Sequence, residues 1–341
     1  MTMHTLNRLS LTALLLFGLS GPAFGQAQAD YPAVTVGVVS YLQYLYDFQD
    51  PNSFNAFDVT RGYINIQAKL SPRVRVRFTP DVRPTTDATL TSNLTLRLAY
   101  ASLEADVTDG GKVIVGMHET PWLTYEQSIN RYRVQGPMFA EREGLIPGET
   151  DLGFSVKATG ERTEVHVGVY NGEGYGRQET DKYKSIQGRA TISPFSDDST
   201  GGGKVSFSGF YSYGWYARDR PRRVGIVMAS YEQSHVAATA QYLFATDNPF
   251  VSADIKRHGL SFFGEVRQGL TGWAGLASAD LFDPDESNQT DGRHLYIFGG
   301  AHWNQWGRGR VGVVVTLQQV FRAVNSDRSE SRVLAQTHVE F

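Results

Sequence analysis

Between residue 32 and the last residue, apolar and polar side chains alternate with a period of two, and helical periodicity is hard to find. Over 73–82, Arg73, Arg75, Arg77, Thr79 and Asp81 share one face, while Val74, Val76, Phe78, Pro80 and Val82 share the other. The stretch before it repeats the arrangement, with Arg61, Tyr63, Asn65, Gln67 and Lys69 opposing Gly62, Ile64, Ile66, Ala68 and Leu70. Successive side chains of a strand point to opposite faces, so this pattern specifies strands with one dry and one wet side. A soluble sandwich also alternates. Here the alternation recurs to the end of the chain and no segment reads as a second core layer, so an all-β transmembrane antiparallel barrel is expected. Mean hydropathy is only −0.31 because the two faces cancel.

The first residues address the chain to an export route. Arg8 supplies a positive start, Leu11 to Leu19 a short apolar run, and small residues follow. That run is shorter than the roughly 20 residues a spanning helix needs. Residues 1–25 therefore read as a cleaved signal peptide, with cleavage fitting after Gly25 or as late as Ala29. An uncleaved anchor is the alternative. Residues 30–341 read as one barrel domain with no linker. Losing Arg8 leaves 31 basic against 35 acidic residues, a charge of −4, too mild to indicate a nucleic-acid partner. With no cysteine, the exported fold rests on backbone pairing and burial alone.

About sixteen strands are expected, at 32–46, 57–70, 73–82, 93–107, 111–117, 150–158, 163–171, 185–193, 204–216, 223–233, 235–246, 256–267, 272–282, 293–304, 308–322 and 331–341. Short turns such as Ser71-Pro72 and Gly269-Leu270-Thr271 alternate with longer polar loops, among them 83–92, 217–222 and 283–292. An even strand number, with short turns at one rim and long loops at the other, is how outer-membrane barrels are built. Aromatics near strand ends (Tyr44, Tyr46, Tyr211, Tyr213, Trp215, Trp303, Trp306) read as interface girdles. Val339 and Phe341, on the apolar face of the last strand, look like the signal read by the barrel-assembly machinery.

Sixteen strands enclose more space than their own side chains fill, so a water-filled lumen follows. Two groups of residues then matter. The third long loop, 118–149, has apolar mass to pack on a wall (Trp122, Tyr125, Tyr132, Met138, Phe139) and charge to set a constriction (Glu126, Arg131, Arg133, Glu141, Arg142, Glu143). It is expected to fold into the lumen; an external flap is the alternative. The second group is a basic row, Arg61, Arg73, Arg75, Arg77 and Arg97, placed on the lumen face because Arg in mid-bilayer costs roughly 2–4 kcal/mol. Guanidinium forks match carboxylate and phosphate oxygens and bias a pore toward anions. Pairing with Glu104, Asp106 and the loop acids would instead make the row neutral scaffolding, and both readings stand.

Other motifs point nowhere specific. The acidic stretch from Asp283 to Gly292 lacks the glycine and glutamate spacing of a calcium loop. His166, His294 and His302 fall on expected lumen faces without metal-ligand spacing, so no metal and no cofactor is expected. No nucleophile elbow, phosphate loop or zinc-protease motif occurs, and no nucleophile beside a base is recognisable.

Several segments resemble the phosphate-selective porin O and P family. These are Val113 to Pro121 (VIVGMHETP) with Trp122, Asp151-Leu152-Gly153, and Val167 to Tyr175 (VGVYNGEGY), spread over roughly 57–176. Thr150 stands where relatives often carry arginine, and the chain is short for the family. The resemblance implies a trimeric sixteen-stranded pore for anions such as phosphate or small organic acids, set among outer-membrane lipid and lipopolysaccharide. The expected function is passive diffusion of small hydrophilic solutes. A barrel enzyme hydrolysing lipid or peptide, or a closed structural or adhesion barrel, is the alternative from another class.

Overall fold

The computed structural model describes residues 30–85, 94–179, 182–196, 202–217, 220–248, 254–323 and 329–341. The expected signal segment lies outside them. Residues Pro32–Phe341 form one compact unit. Its strands are β1 (Ala33–Asp47), β2 (Asn55–Ser71), β3 (Val74–Pro84), β4 (Leu94–Thr108), β5 (Gly111–Glu119), β6 (Thr150–Thr159), β7 (Thr163–Tyr170) and β8 (Ser185–Phe195). They continue with β9 (Lys204–Ala217), β10 (Arg220–Glu232), β11 (Val236–Asp247), β12 (Ile255–Arg267), β13 (Gly272–Asp283), β14 (Arg293–Trp306), β15 (Gly309–Arg322) and β16 (Glu330–Glu340).

Every strand pairs antiparallel with its chain neighbours, and β1 pairs with β16 to close the ring. Val39 opposes Glu340 and Asp47 opposes Arg332, and beyond the ladder Val38 and Phe341 exchange backbone bonds of 2.9 and 3.1 Å. Closure leaves no sheet edge, so each strand's polar backbone is satisfied inside the ring, as a lipid environment demands.

The faces separate as the alternation requires. On β6 and β7, Leu152, Phe154, Val156, Val165, Val167 and Val169 turn outward and are exposed, while Ser155 and His166 between them are buried within the ring. Two of the register shifts position lumen residues. The β3–β4 ladder slips between Thr79 and Pro80, leaving Ala99 unpaired, so Tyr100 opposes Thr79 while Arg97 opposes the buried Asp81. The β1–β2 ladder slips at Tyr41/Leu42, which puts Arg61 opposite buried Tyr41 and Val59 outside.

Four expectations need correction. The connection 217–222 shrinks to 218–219, because β9 and β10 pair to their tips, out to Arg220 with Ala217. Trp303 is no girdle residue; it is fully buried inside the ring against Tyr132. Its parity places His294 and His302 on the outer face, His302 against Trp273. Arg73 lies in the turn before β3 and is exposed there.

The outward position of Phe154 on β6 gives a direct check. Phe154→Arg would place a charge against hydrocarbon and should lower the stability of the barrel folded in lipid vesicles by about 2–4 kcal/mol. Urea titration measures it, and an unchanged midpoint would contradict the assignment of faces.

Candidate functional site

The connection 120–149 lies within the ring and divides its interior. It contains two short helices, α1 (Leu123–Ile129) and α2 (Phe139–Arg142), and a 3-10 turn at Arg133–Gln135. Trp122, Leu123, Met138, Phe139, Leu145 and Ile146 pack in one cluster with Phe210, Val224, Ile226, Met228, Leu243 and Phe282 of β9, β10, β11 and β13. Tyr132 and Val134 join a second cluster with Phe263, Leu276, Ile297 and Trp303. These inner-wall residues are apolar, although the lumen side of a wet barrel is normally polar. Fully burying such side chains is worth about 1.5–3 kcal/mol each, so docking needs no other driving force.

Polar bonds fix the position. Tyr125 Oη lies 2.7 Å from Ser208 Oγ on β9. Gln241 Nε2 donates to Glu126 Oε1 at 2.7 Å, and Trp122 Nε1 donates to Glu126 Oε2 at 3.0 Å. Arg131 and Tyr132 both donate to Glu265 Oε1, at 2.5 and 2.6 Å. Arg142 pairs with Asp280 on β13, Arg293 with Glu143, and Gln336 Nε2 on β16 donates to the Val134 carbonyl at 2.5 Å. The segment is thus bonded to β9, β11, β12, β13, β14 and β16, and the space it leaves free lies along β1 to β5, reaching β15 and β16 at one end.

Two cavities occupy that space. One of ≈ 370 Å³ is lined by Gln67, Lys69, Arg75, Arg77, Tyr100, Glu104, His118 and Glu119, among others. The other, of ≈ 420 Å³, is lined by Tyr41, Gln43, Arg61, Arg83, Arg133, Glu141 and Arg332, among others. Along β2 and β3 the first ends at Gln67 and Arg77 and the second begins at Arg61 and Arg83. Tyr63, Asn65, Thr79 and Asp81 form the band between them.

Glu149 anchors this band from the loop side. Its carboxylate lies 3.6 Å from Arg61 and 4.0 Å from Arg133. It also accepts bonds from Tyr63 Oη at 2.6 Å and Gln127 Nε2 at 3.2 Å. Burial alone would raise its pKa; Arg61 and Arg133, with the bonds from Tyr63 and Gln127, overcome that and hold it at about 2. Arg133 continues to Glu141 at 2.8 Å. Asp81, fully buried, accepts from Tyr175 Oη at 2.9 Å and from Arg83 Nε at 3.1 Å, and Arg83 also bonds Tyr175.

The expected basic row divides along these lines. Arg75 is held by Glu104 at 2.6 Å and Asp106 at 2.5 Å, with Lys112 on the far oxygen of Glu104 at 2.9 Å, so this member is paired scaffolding. Arg61 is paired to Glu149. Arg77 differs: it donates to Asn65 Oδ1 at 2.9 Å and Thr79 Oγ1 at 3.1 Å and stacks 3.3 Å from the Tyr100 ring centroid. Among the described residues Arg77 has no carboxylate partner. Arg97 lies against the loop at Gly176, and Arg73 is outside the cavities.

Sequence reasoning missed Glu149, Asp81, Tyr63, Arg83 and Tyr175. Tyr63 and Asp81 were within reach, since they share the parity of the basic row. It also missed a serine beside a histidine. Ser155 Oγ lies 2.8 Å from His118 Nε2 and 3.1 Å from His166 Nε2, and His118 Nδ1 is 2.8 Å from the Gly116 carbonyl. Gly116, at φ +108, supplies the kink that aims this carbonyl. Ser155 is 0% exposed. Its hydroxyl is therefore closed off, while His118 borders the first cavity.

Glu126 offers a pH test of docking. Burial raises its pKa to about 7, Gln241 and Trp122 pulling down and Asp280 up. A carboxyl whose folded value is raised stabilises the docked state below its unfolded value near 4.5, and that stability is lost as pH rises through about 7. Glu126→Gln should therefore gain stability over the unsubstituted chain between pH 5 and 8.5, by about 1–3 kcal/mol. Thermal unfolding in detergent at both pH values measures it; a difference that stays constant with pH would refute the assignment.

Neither a family model nor a curated protein matches this chain. Solved structures do. An anion-selective porin from Comamonas acidovorans is similar at a TM-score of 0.63 and 12% identity, covering 91% of this chain and 99% of that one. OmpF of Salmonella typhi, in complex with daunomycin, is similar at 0.61 and 10% identity, covering 90% and 97%. A triple mutant of the Rhodopseudomonas blastica porin is similar at 0.55 and 14%, covering 90% and 100%. At such identities the likeness is one of fold: this chain is a closed sixteen-stranded antiparallel barrel similar in architecture to these porins.

Proposed function

We propose that this chain is an outer-membrane porin of a Gram-negative-type bacterium, passing small hydrophilic solutes down their gradients with a bias toward anions. The observation that carries the bias is the lining of the two cavities. The first presents three basic side chains (Lys69, Arg75, Arg77) against two acidic ones. The second presents four basic side chains (Arg61, Arg83, Arg133, Arg332) against Glu141. The carboxylates that balance them, Glu149 and Asp81, are buried behind the open surface. Arg61 and Arg133 are as buried as Glu149, so the charge a passing solute meets comes from the partly exposed Arg77, Arg83 and Arg332, and fixed positive charge in a narrow lumen selects anions.

Phosphate and small organic acids both fit such a lining, and the resemblance to the phosphate-selective porin O and P family supports the choice. The same resemblance supports a homotrimer. Residues 1–25, or up to 29, act as the export signal, and Val339 with Phe341, outward on the last strand, as the assembly signal. The mechanism needs neither cofactor nor covalent step: the docked segment narrows the lumen, the band at Tyr63 and Asp81 sets size, and Arg77 holds an unneutralised charge on the path.

Planar-bilayer recording under a salt gradient tests this. The purified chain should give discrete conductance steps with anion-selective reversal potentials. Arg77→Glu should lower the anion-to-cation permeability ratio several-fold, and Glu104→Gln, which removes one of the two carboxylates on Arg75 and the partner of Lys112, should raise it. A silent bilayer would refute the channel, and cation selectivity in the unsubstituted chain would refute the bias.

A further inference from the structure

The charges that line the first cavity do not all cancel, and those left over stand on different walls. Strand register sets the cavity in rows across β1 to β5. In the row nearest the short turns, Ala33, Lys69, Arg75, Glu104 and Ile114 stand opposite one another in turn. One row further in, Gln67 opposes Arg77 and Arg77 opposes Ser102. Arg75 and Lys112 with Glu104 and Asp106 form a closed group in which positive and negative charges balance, so it has little left to offer a solute.

Three charged side chains of the same cavity stay outside that group. Lys69 is exposed and has no ion pair or hydrogen bond among the described residues. Arg77 is bonded to neutral groups, its guanidinium over the Tyr100 ring. Glu119, at the end of β5, accepts no hydrogen bond on its carboxylate among the described residues. Its ion contact is Lys157 at 3.8 Å, and Lys157 stands closer to Glu164, at 3.3 Å. Neither Lys69 nor Arg77 is paired with Glu119, which stands two strand spacings from β3, about 10 Å between backbones. The cavity of ≈ 370 Å³ therefore has two unneutralised cations on one wall and an under-used carboxylate on another. Ile114 and Ala33 add apolar surface at the two ends of the first row.

We propose that this cavity is a binding site for small zwitterions, matched best by a free α-amino acid with an aliphatic side chain. Its carboxylate lies at Lys69 and Arg77, its ammonium at Glu119, and its side chain toward Ile114. The assignment rests on the porin reading above and adds a solute held by its dipole, where net charge alone gives no hold. A plain anion leaves Glu119 unanswered and is repelled by it, and a plain amine meets Lys69 and Arg77. Fixed charges of both signs within one narrow, poorly screened cavity favour the molecule that carries both complements.

The test uses the full chain refolded into detergent, with binding read by ligand-observed NMR titration. The probes are leucine, 4-methylpentanoate, which lacks the ammonium, and 3-methylbutylamine, which lacks the carboxylate. Leucine should bind at least tenfold more tightly than either. Glu119→Gln should weaken leucine at least fivefold without weakening 4-methylpentanoate. Lys69→Gln with Arg77→Gln should weaken both of these and leave the amine no weaker. Equal affinity for leucine and 4-methylpentanoate overturns the proposal and makes the cavity a simple anion site. Absence of saturable leucine binding overturns it as well, as does a Glu119→Gln chain that binds leucine normally. Heat-shifted mobility on a gel confirms that each variant is folded. Since binding is read without conductance, failure here and failure of the channel reading are separate results.

Discussion

A ring of sixteen strands encloses more volume than its own inward side chains fill, and the apolar contact between segment 120–149 and the wall of β9 to β14 settles how this chain uses that volume. Phe210, Val224, Ile226, Met228 and Leu243 would be misplaced facing water. Facing Trp122, Leu123 and Phe139 they form a core comparable to that of a soluble domain. Without the docked segment that wall would be a dry surface inside a wet tube. The apolar wall and the apolar loop exist for each other, and the free passage along β1 to β5 is what remains.

The remaining passage is shaped by how its charges are distributed in depth. Arg77, Arg83 and Arg332 keep partial exposure to the open space, whereas Glu149 and Asp81 are buried and bonded to tyrosine hydroxyls, and Arg61 and Arg133 are buried with Glu149. A buried carboxylate between two guanidinium groups stays ionised because they repay its desolvation. It also immobilises the long side chains that line the opening. The same pairs therefore give rigidity and screen part of the charge that a solute feels. Arg75, held by two carboxylates, belongs to the rigid part. Arg77, seated on the Tyr100 ring and bonded only to neutral groups, keeps its charge for the path.

Strand positions were legible because lipid on one side and water on the other leave the plainest pattern a sequence can carry. The misplaced residues of β14 share a cause. On β14, Leu295, Ile297, Ala301 and Trp303 face inward where the loop docks, so both faces are apolar and the wet side has no polar marker. His294 and His302, the polar residues there, were read as lumen and lie outside. Val224 to Ala229 on β10 is nearly continuous apolar sequence for the same reason. Loss of alternation in consecutive strands was itself a signal that something apolar covers the inner wall. Glu149 was hidden differently: an acid at the end of a loop has no local pattern, and its importance comes from Arg61 and Tyr63, which meet it only when the ring closes.

The two sides of the wall follow one rule read in opposite directions. Inside, an apolar surface is covered by the chain's own segment, and the charges beside it are neutralised by partners the chain supplies. Outside, along β9 to β12, an apolar groove has no such complement within the described residues. Lipid hydrocarbon accounts for this apolar surface. The same strands, β9 to β12, thus bear the inner core on one face and the groove on the other. A side chain such as Ala240, small on the outer face of β11, sits beside Gln241, which holds Glu126 within. One strand, β11, therefore meets hydrocarbon on its outer face and fixes the loop with its inner one.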